Sequence, residues 1–242
     1  ADSALLLPTI SSIECAREQQ REDYFNIFLQ LQPQGVLTTL YQLFSYDDII
    51  VTAGSYQFIM ADATRVKARY SVLFKADKII LHHSSREPNQ QHWDEHIADN
   101  QDVIDSYICN SDIYNSNNIS HVDQAKQLLN MWLNAIASGQ AQELAQLYAH
   151  NALILPIYQT QELCNHQARL AYCGDFLNLH PLVVIDSTYI QFADDNLCII
   201  GGSYTLTLDN TRTIKARYDL TFMKSQAGEW KIVLDHCSSQ PD

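Results

Sequence analysis

The feature that most constrains the fold of this chain is an internal repeat. Residues Ala4–Phe74 align with Ala152–Phe222 without a gap, at a constant offset, and about a third of the aligned positions are identical. Ala-Leu-Leu-Leu-Pro (Ala4–Pro8) meets Ala-Leu-Ile-Leu-Pro (Ala152–Pro156), Gly54-Ser55-Tyr56 meets Gly202-Ser203-Tyr204, and Lys67-Ala68-Arg69-Tyr70 meets Lys215-Ala216-Arg217-Tyr218. After a five-residue insertion in the second repeat, Leu81-His82-His83-Ser84-Ser85 meets Leu234-Asp235-His236-Cys237-Ser238. The period is far longer than the ~20–50 residues of a solenoid unit, so what repeats is a whole domain. The chain is a tandem duplication, and whatever fold it takes must be buildable twice.

The spacing predicts a first domain over 1–88, an acidic linker over 89–119 and a second, complete domain over 120–242. About thirty residues that read as helices precede Ala152, whereas almost nothing precedes Ala4, so the first repeat lacks its opening helices in this sequence: either they belong to a longer N-terminus or another segment replaces them. A linker segment free of Gly and Pro, His92–Ile108, places Trp93, Ile97, Ile104 and Ile108 at near-helical spacing and offers a substitute helix.

Composition narrows the function classes. The net charge of −13 argues against nucleic acid, whose phosphates need clustered Lys and Arg. No apolar run approaches the length of a membrane span, and no leader pattern opens the chain. The six cysteines do not fall at matching places in the repeats, as a duplicated disulfide framework would. They read as free thiols, which favours a cytoplasmic over a periplasmic setting.

Within the second repeat, Val122, Ala125, Leu128, Leu129, Trp132, Leu133 and Ile136 recur at helical spacing behind Ser120 and Asp123, a capping-box pair, and Gly139 ends the helix. A short helix with Leu144, Leu147 and Tyr148 follows, then a strand at Leu153–Leu155. A third helix spans Glu162 to Leu179, matched by Glu14 to Leu31, where Tyr24, Ile27, Phe28 and Leu31 form a stripe. Beyond Pro33 and Pro181 the period falls to two. Val36–Phe44, Ile49–Met60, Arg65–Phe74 and Lys78–Ser84 read as successive strands, with counterparts up to Ser238. Helices first and a strand meander last make an α+β layout, helices on one face of a curved antiparallel sheet.

This order of elements, with Tyr24-Phe25-x-x-Phe28-Leu29, Gly54-Ser55-Tyr56, Ala68-Arg69-Tyr70 and His82-His83-Ser84-Ser85-x-x-Pro88 and their second-repeat versions, resembles the nuclear transport factor 2-like superfamily. The likeness is greatest to the association domain of calcium/calmodulin-dependent protein kinase II and its bacterial stand-alone relatives. The resemblance implies two cone-shaped domains, a pocket in each, and pairing through the sheets, within the chain and in a homo-oligomer. It implies no single reaction, because the same fold serves assembly hubs, ligand binders, ketosteroid isomerases, dehydratases and polyketide cyclases.

Polar residues at matching places in both repeats are the candidates for a site. Arg21/Arg169 and Tyr24/Tyr172 lie three apart on one helix face. Tyr56/Tyr204 and Arg69/Arg217 lie on central strands, and His83/His236 on the last. Arg grips a carboxylate bidentately and Tyr and His complete the hydrogen bonding, so the set would hold an anionic ligand. Alternatively, Arg69 and Arg217 sit on the sheet's outer face and support pairing; period two does not choose between these. The expected function is therefore a small-ligand-binding or assembly module without cofactor or metal. The alternative is a cofactor-independent isomerase or lyase of the ketosteroid isomerase or polyketide cyclase type. That chemistry needs a general base beside an oxyanion donor. Glu14/Glu162 is the acidic pair near the expected mouth, while the exchange of His82 for Asp235 and Ser84 for Cys237 speaks against one conserved device. His92-Trp93-Asp94-Glu95-His96 fits the H-x-x-E-H spacing of a zinc peptidase class, but it lies in the linker with no domain to complete it.

Overall fold

The computed structural model describes residues 1–46, 48–88, 113–114 and 119–241. The helix expected over His92–Ile108 and the H-x-x-E-H match lie outside them. The chain divides into two compact units, one within Ala1–Glu87 and one within Pro88–Ser239.

Unit one runs β1 (Leu5–Leu7), α1 (Glu18–Gln30), β2 (Gln34–Tyr46), β3 (Ile49–Ile59), β4 (Arg65–Lys75) and β5 (Lys78–Arg86), in a sheet ordered β1-β5-β4-β3-β2. Unit two runs β6 (Ile113–Tyr114), α2 (Ile119–Ala137), α3 (Ala141–Gln146), β7 (Tyr148–Leu155), α4 (His166–Leu177), β8 (Leu182–Ile185), β9 (Tyr189–Asp194), β10 (Leu197–Leu208), β11 (Arg212–Lys224) and β12 (Trp230–Ser239). Its sheet is ordered β6-β9-β10-β11-β12-β7, with β8 on β10. In both units the first strand of the repeat runs parallel to the last, β1 on β5 and β7 on β12, and the meander between is antiparallel. The expected α+β architecture is present twice, and the four strands of the first repeat's meander end within two residues of the period-two segments.

The repeated motifs are the fixings of this architecture. Gly54 (φ +156°) and Gly202 (φ +155°) lie where the preceding strand bends across the sheet; a Cβ there would stand 2.2 Å from the carbonyl oxygen of Thr39 or Ser187. The following serine closes the crossing. Ser203 N–H donates to Ser187 Oγ at 2.9 Å, and Ser55 N–H to Thr39 Oγ1 at 2.9 Å. The tyrosine of Ala-Arg-Tyr ties it from the next strand: Tyr218 Oη donates to the Ser187 carbonyl at 3.3 Å and Tyr70 Oη to that of Thr39 at 3.2 Å.

The core of unit two lies between α2 and the sheet. Ala125, Leu128, Trp132 and Ile136 are buried there, and Trp132 stacks on Tyr218 at 6.2 Å and 14°. Gly139 (φ +69°) ends the α2 turn as expected. Ser120 falls inside the first turn, because the helix begins at Ile119. The third helices are shorter than expected, each starting four residues later. Asn165 caps α4, its Oδ1 accepting from Ala168 N–H at 2.9 Å. The α1 stripe is also corrected: Phe28 is buried, but Ile27 and Leu31 are exposed. The described cysteines are free, as read from their unmatched positions.

Candidate functional site

A cavity in unit two is walled by Trp132 and Ile136 from α2, Tyr148 and Ile154 from β7, Tyr172 and Phe176 from α4, and Tyr204, Asp235 and Cys237 from the sheet. The helical residues fall one turn apart, so each helix presents two of them to the same side. Asp235 and Cys237 alternate with His236 along β12, which puts both on the helix side of the sheet and His236 on the other. The free space within these walls is about 20 Å³, room for about one water-sized group.

Asp235 is the chemical centre of this cavity. It is 4% exposed among apolar and aromatic side chains, and loss of hydration raises its carboxyl pKa to about 6. Tyr148 Oη donates to Oδ2 at 2.5 Å and the Cys237 thiol donates to Oδ1 at 3.2 Å; both bonds favour the ionised form and limit the rise. A carboxylate accepts about four hydrogen bonds, so two places remain. Burial pushes the phenols of Tyr148, Tyr172 and Tyr204 well above their ordinary value, and burial together with the Asp235 charge does the same to the Cys237 thiol. All four stay protonated at neutral pH.

The ten residues expected to bind an anion separate into four groups. Tyr172 and Tyr204 line the cavity. In unit one Tyr24 and Tyr56 are joined through Phe28 and Phe58, with centroids at 5.7, 5.1 and 4.6 Å along the chain of rings. Arg21 and Arg169 are turned to the backbone instead of a ligand. Arg169 donates to the carbonyls of Ala152 (2.6 Å), Ala149 (3.0 Å) and His150 (2.7 Å), and Arg21 does the same at Ala4 (2.6 Å), Ala1 (3.0 Å) and Asp2 (2.9 Å). Arg169 thereby pins α4 to β7, and Arg21 pins α1 to the residues just ahead of β1. Arg69, Arg217, His83 and His236 are buried on the sheet face away from Tyr70 and Tyr218, so the open question of period two resolves to the outer face. There His236 Nδ1 stands 3.8 Å from Asp219 Oδ1. Convergence of Arg, Tyr and His on one pocket is thus overturned by side-chain direction.

Glu14 and Glu162 are half-buried beside Cys15 and Leu163, whose backbones bridge to Leu6 and Ile154, and Glu162 is not among the cavity residues. The acid of the cavity is Asp235, at a position where the repeats differ. Its counterpart, His82, is half-buried and its pKa is lowered to about 4 by desolvation. Cys237 is replaced by Ser84, whose Oγ hydrogen-bonds Thr9 Oγ1 and Tyr56 Oη. The second repeat therefore carries a carboxylate and a thiol where the first carries an imidazole and a closed group of hydroxyls.

Each unit is an α+β domain with a helix packed on a largely antiparallel sheet, and solved proteins of the nuclear transport factor 2-like, cystatin-like fold are similar to the chain over about half its length. A candidate calcium/calmodulin-dependent protein kinase II association domain from Xanthomonas campestris is 28% identical over 49% of this chain and 87% of its own, with a TM-score of 0.47. A nuclear transport factor 2-like protein of unknown function from Pseudomonas putida is 14% identical over 48% and 84%, TM-score 0.44. A candidate ketosteroid isomerase from Shewanella frigidimarina is 14% identical over 47% and 94%, TM-score 0.42. No protein-family model and no curated relative matches the chain. No helix among the described residues is long and apolar enough to cross a membrane.

Proposed function

We propose that the second repeat binds a small molecule in the cavity beneath α2, with Asp235 as its polar anchor. The observation that carries this reading is a carboxylate buried in an aromatic cavity with acceptor positions to spare. Burying an ionisable group is costly, and such groups collect at sites that use them. The cavity holds an acid and neither Lys nor Arg, so the anionic ligand expected from the sequence does not suit this repeat. Titration of compact probes against the protein and against Asp235→Asn, followed by NMR shifts of the cavity aromatics, tests the reading. Identical shifts in both proteins would remove Asp235 from it.

A second reading, proton transfer in the manner of an isomerase or lyase, is supported by the Asp235 pKa of about 6, near the pH at which a general base works best. Tyr204 and Tyr172 would supply donors to a developing oxyanion. Exchange of the α-protons of small cyclic ketones in D2O, faster with the protein than with Asp235→Asn, is the expected sign. Pairing of the repeats through their sheets rests on the family resemblance together with the duplication. Its test is whether the halves stay together on size-exclusion chromatography after the linker is cut.

A further inference from the structure

Resting on the binding reading above and taking it one step further, we infer that the ligand of the second repeat is the ammonium ion, held by Asp235 and the phenol oxygens around it. Size sets the first limit. The free space is about 20 Å³, the room of one water molecule. Ammonium has nearly the size of water, whereas an amine that carries even one methyl group needs more room than this.

The direction of the hydrogen bonds sets the second limit. Tyr148 Oη gives its proton to Asp235 Oδ2 at 2.5 Å, and the Cys237 thiol gives its own to Oδ1 at 3.2 Å. Tyr204 hydrogen-bonds Cys237 in turn, and because the thiol proton is already directed at Asp235, Tyr204 is the donor of that bond and the sulfur its acceptor. The protons of all three side chains are thus committed inside one network that ends on Asp235. What remains on them is acceptor capacity: the unused positions of the carboxylate and the lone pairs of the Tyr148 and Tyr204 oxygens. Tyr172, the other phenol of the walls, is 8% exposed, and its Oη has no hydrogen-bond partner among the described residues. It stands near enough to Asp235 and Cys237 to feel their charges.

A guest in this space must therefore donate more than it accepts. Water gives and takes in equal measure and brings no charge. Ammonium only gives, along tetrahedral N–H bonds, and it is positive. The charge matters because Asp235, with a pKa of about 6, is mostly ionised at neutral pH among walls that hold neither Lys nor Arg. A neutral guest leaves that carboxylate unbalanced in an apolar surround, and a cation balances it by contact. Potassium has a like size and the same charge but no directed donors. It asks for a fuller shell of oxygens than the one carboxylate and three phenols of these side chains provide. The first repeat shows the contrast: His82 stands in place of Asp235, and Tyr56, the match of Tyr204, bonds the hydroxyls of Ser84 and Thr9.

The experiment uses the intact chain at pH 7.5 with ammonium, potassium and methylammonium chlorides exchanged against sodium chloride, and with methanol as a compact neutral probe. NMR follows the rings of Tyr172 and Tyr204 and the proton signals of 15N-labelled ammonium. The expected result is a saturable shift of both rings with ammonium, about tenfold or more tighter than with potassium or methylammonium, and cross-peaks from bound ammonium to those rings. Asp235→Asn should lower ammonium affinity about tenfold or more, through loss of the charge-assisted bonds. Tyr172→Phe, which keeps the ring and removes one acceptor, should lower it about threefold to tenfold. Equal affinity for ammonium and potassium would overturn the ammonium assignment, and unchanged affinity in Asp235→Asn would overturn it by placing the ion elsewhere. A cross-peak from water to the tyrosines with no response to ammonium would give the space to a water molecule and overturn it as well. If methanol still shifts the rings in that case, the binding reading stands; if no probe shifts them, the binding reading falls too.

Discussion

A single acid, Asp235, separates the two repeats chemically, and its ionisation should be visible in stability. Its pKa in the fold, about 6, lies above the ordinary 3.8 of a carboxyl group, so between those values the folded state holds a proton that the unfolded state has released. The sign is that stability is greatest below about pH 4 and is lost as pH rises towards 6, on the order of 3 kcal/mol for a two-unit shift. Asp235→Asn keeps an acceptor for Tyr148 and removes the charge. The variant should melt at a higher temperature than the parent at pH 7.5, and the gap should close by pH 4. A gap independent of pH would mean that Asp235 is solvated. Arg169 gives the converse case, a residue whose role is mechanical. Its three carbonyl bonds join α4 to β7, and Arg169→Ala should destabilise unit two by about 2–4 kcal/mol in urea unfolding. Parent-like unfolding would return the guanidinium to the pool of ligand groups.

At the level of elements, the strands were legible because alternation over ten or more residues has few competing explanations. β3 and β4 fall within one residue of the segments read from periodicity. Helix positions were legible and helix faces less so: Ile27 and Leu31 match an apolar stripe by spacing, yet α1 buries Phe28 alone. The site was harder for a physical reason. Repetition marks what both units need, and what both need is construction: Gly54/Gly202 for a backbone crossing, Tyr70/Tyr218 to tie it, Arg21/Arg169 to pin a helix. The acid and the thiol of the cavity sit where the repeats disagree. The available signal was an acid and a thiol set alternately in the apolar run Val233-Leu234-Asp235-His236-Cys237, which period two places on the same side as Val233. Gly202→Ala tests the constructional reading. The added methyl must displace the Ser187 carbonyl and occupy a φ of +155°, so a loss of at least about 2 kcal/mol is expected in urea unfolding of unit two. Unfolding at the parent's urea concentration would show that the crossing yields freely.

For the molecule as a whole, the two units should answer acid in opposite directions. His82 is held neutral in unit one, at about 4 against an ordinary 6.5, so the unfolded chain takes up a proton that the fold refuses. Stability of unit one therefore falls as pH drops from 6.5 towards 4, over the range in which Asp235 makes unit two firmer. Tryptophan fluorescence follows unit two through Trp132 and Trp230, and hydrogen exchange at the amides of β4 follows unit one. On lowering the pH from 6.5 to 4.5, amide protection factors should fall in β4 and rise in β11. Parallel changes in both strands would show that the units share one unfolding transition or that one of the two groups titrates normally.

The crossing at Gly54 and Gly202 has a consequence for how such a chain can change. The parts that hold the backbone and the acid and thiol of the cavity are different residues, so the second set can be rewritten while the first is left alone. A duplicated domain of this kind is a spare: one repeat keeps its trade while the other is free to drift towards new chemistry. Grafting His82→Asp and Ser84→Cys onto the first repeat would ask how far apart the two have already travelled.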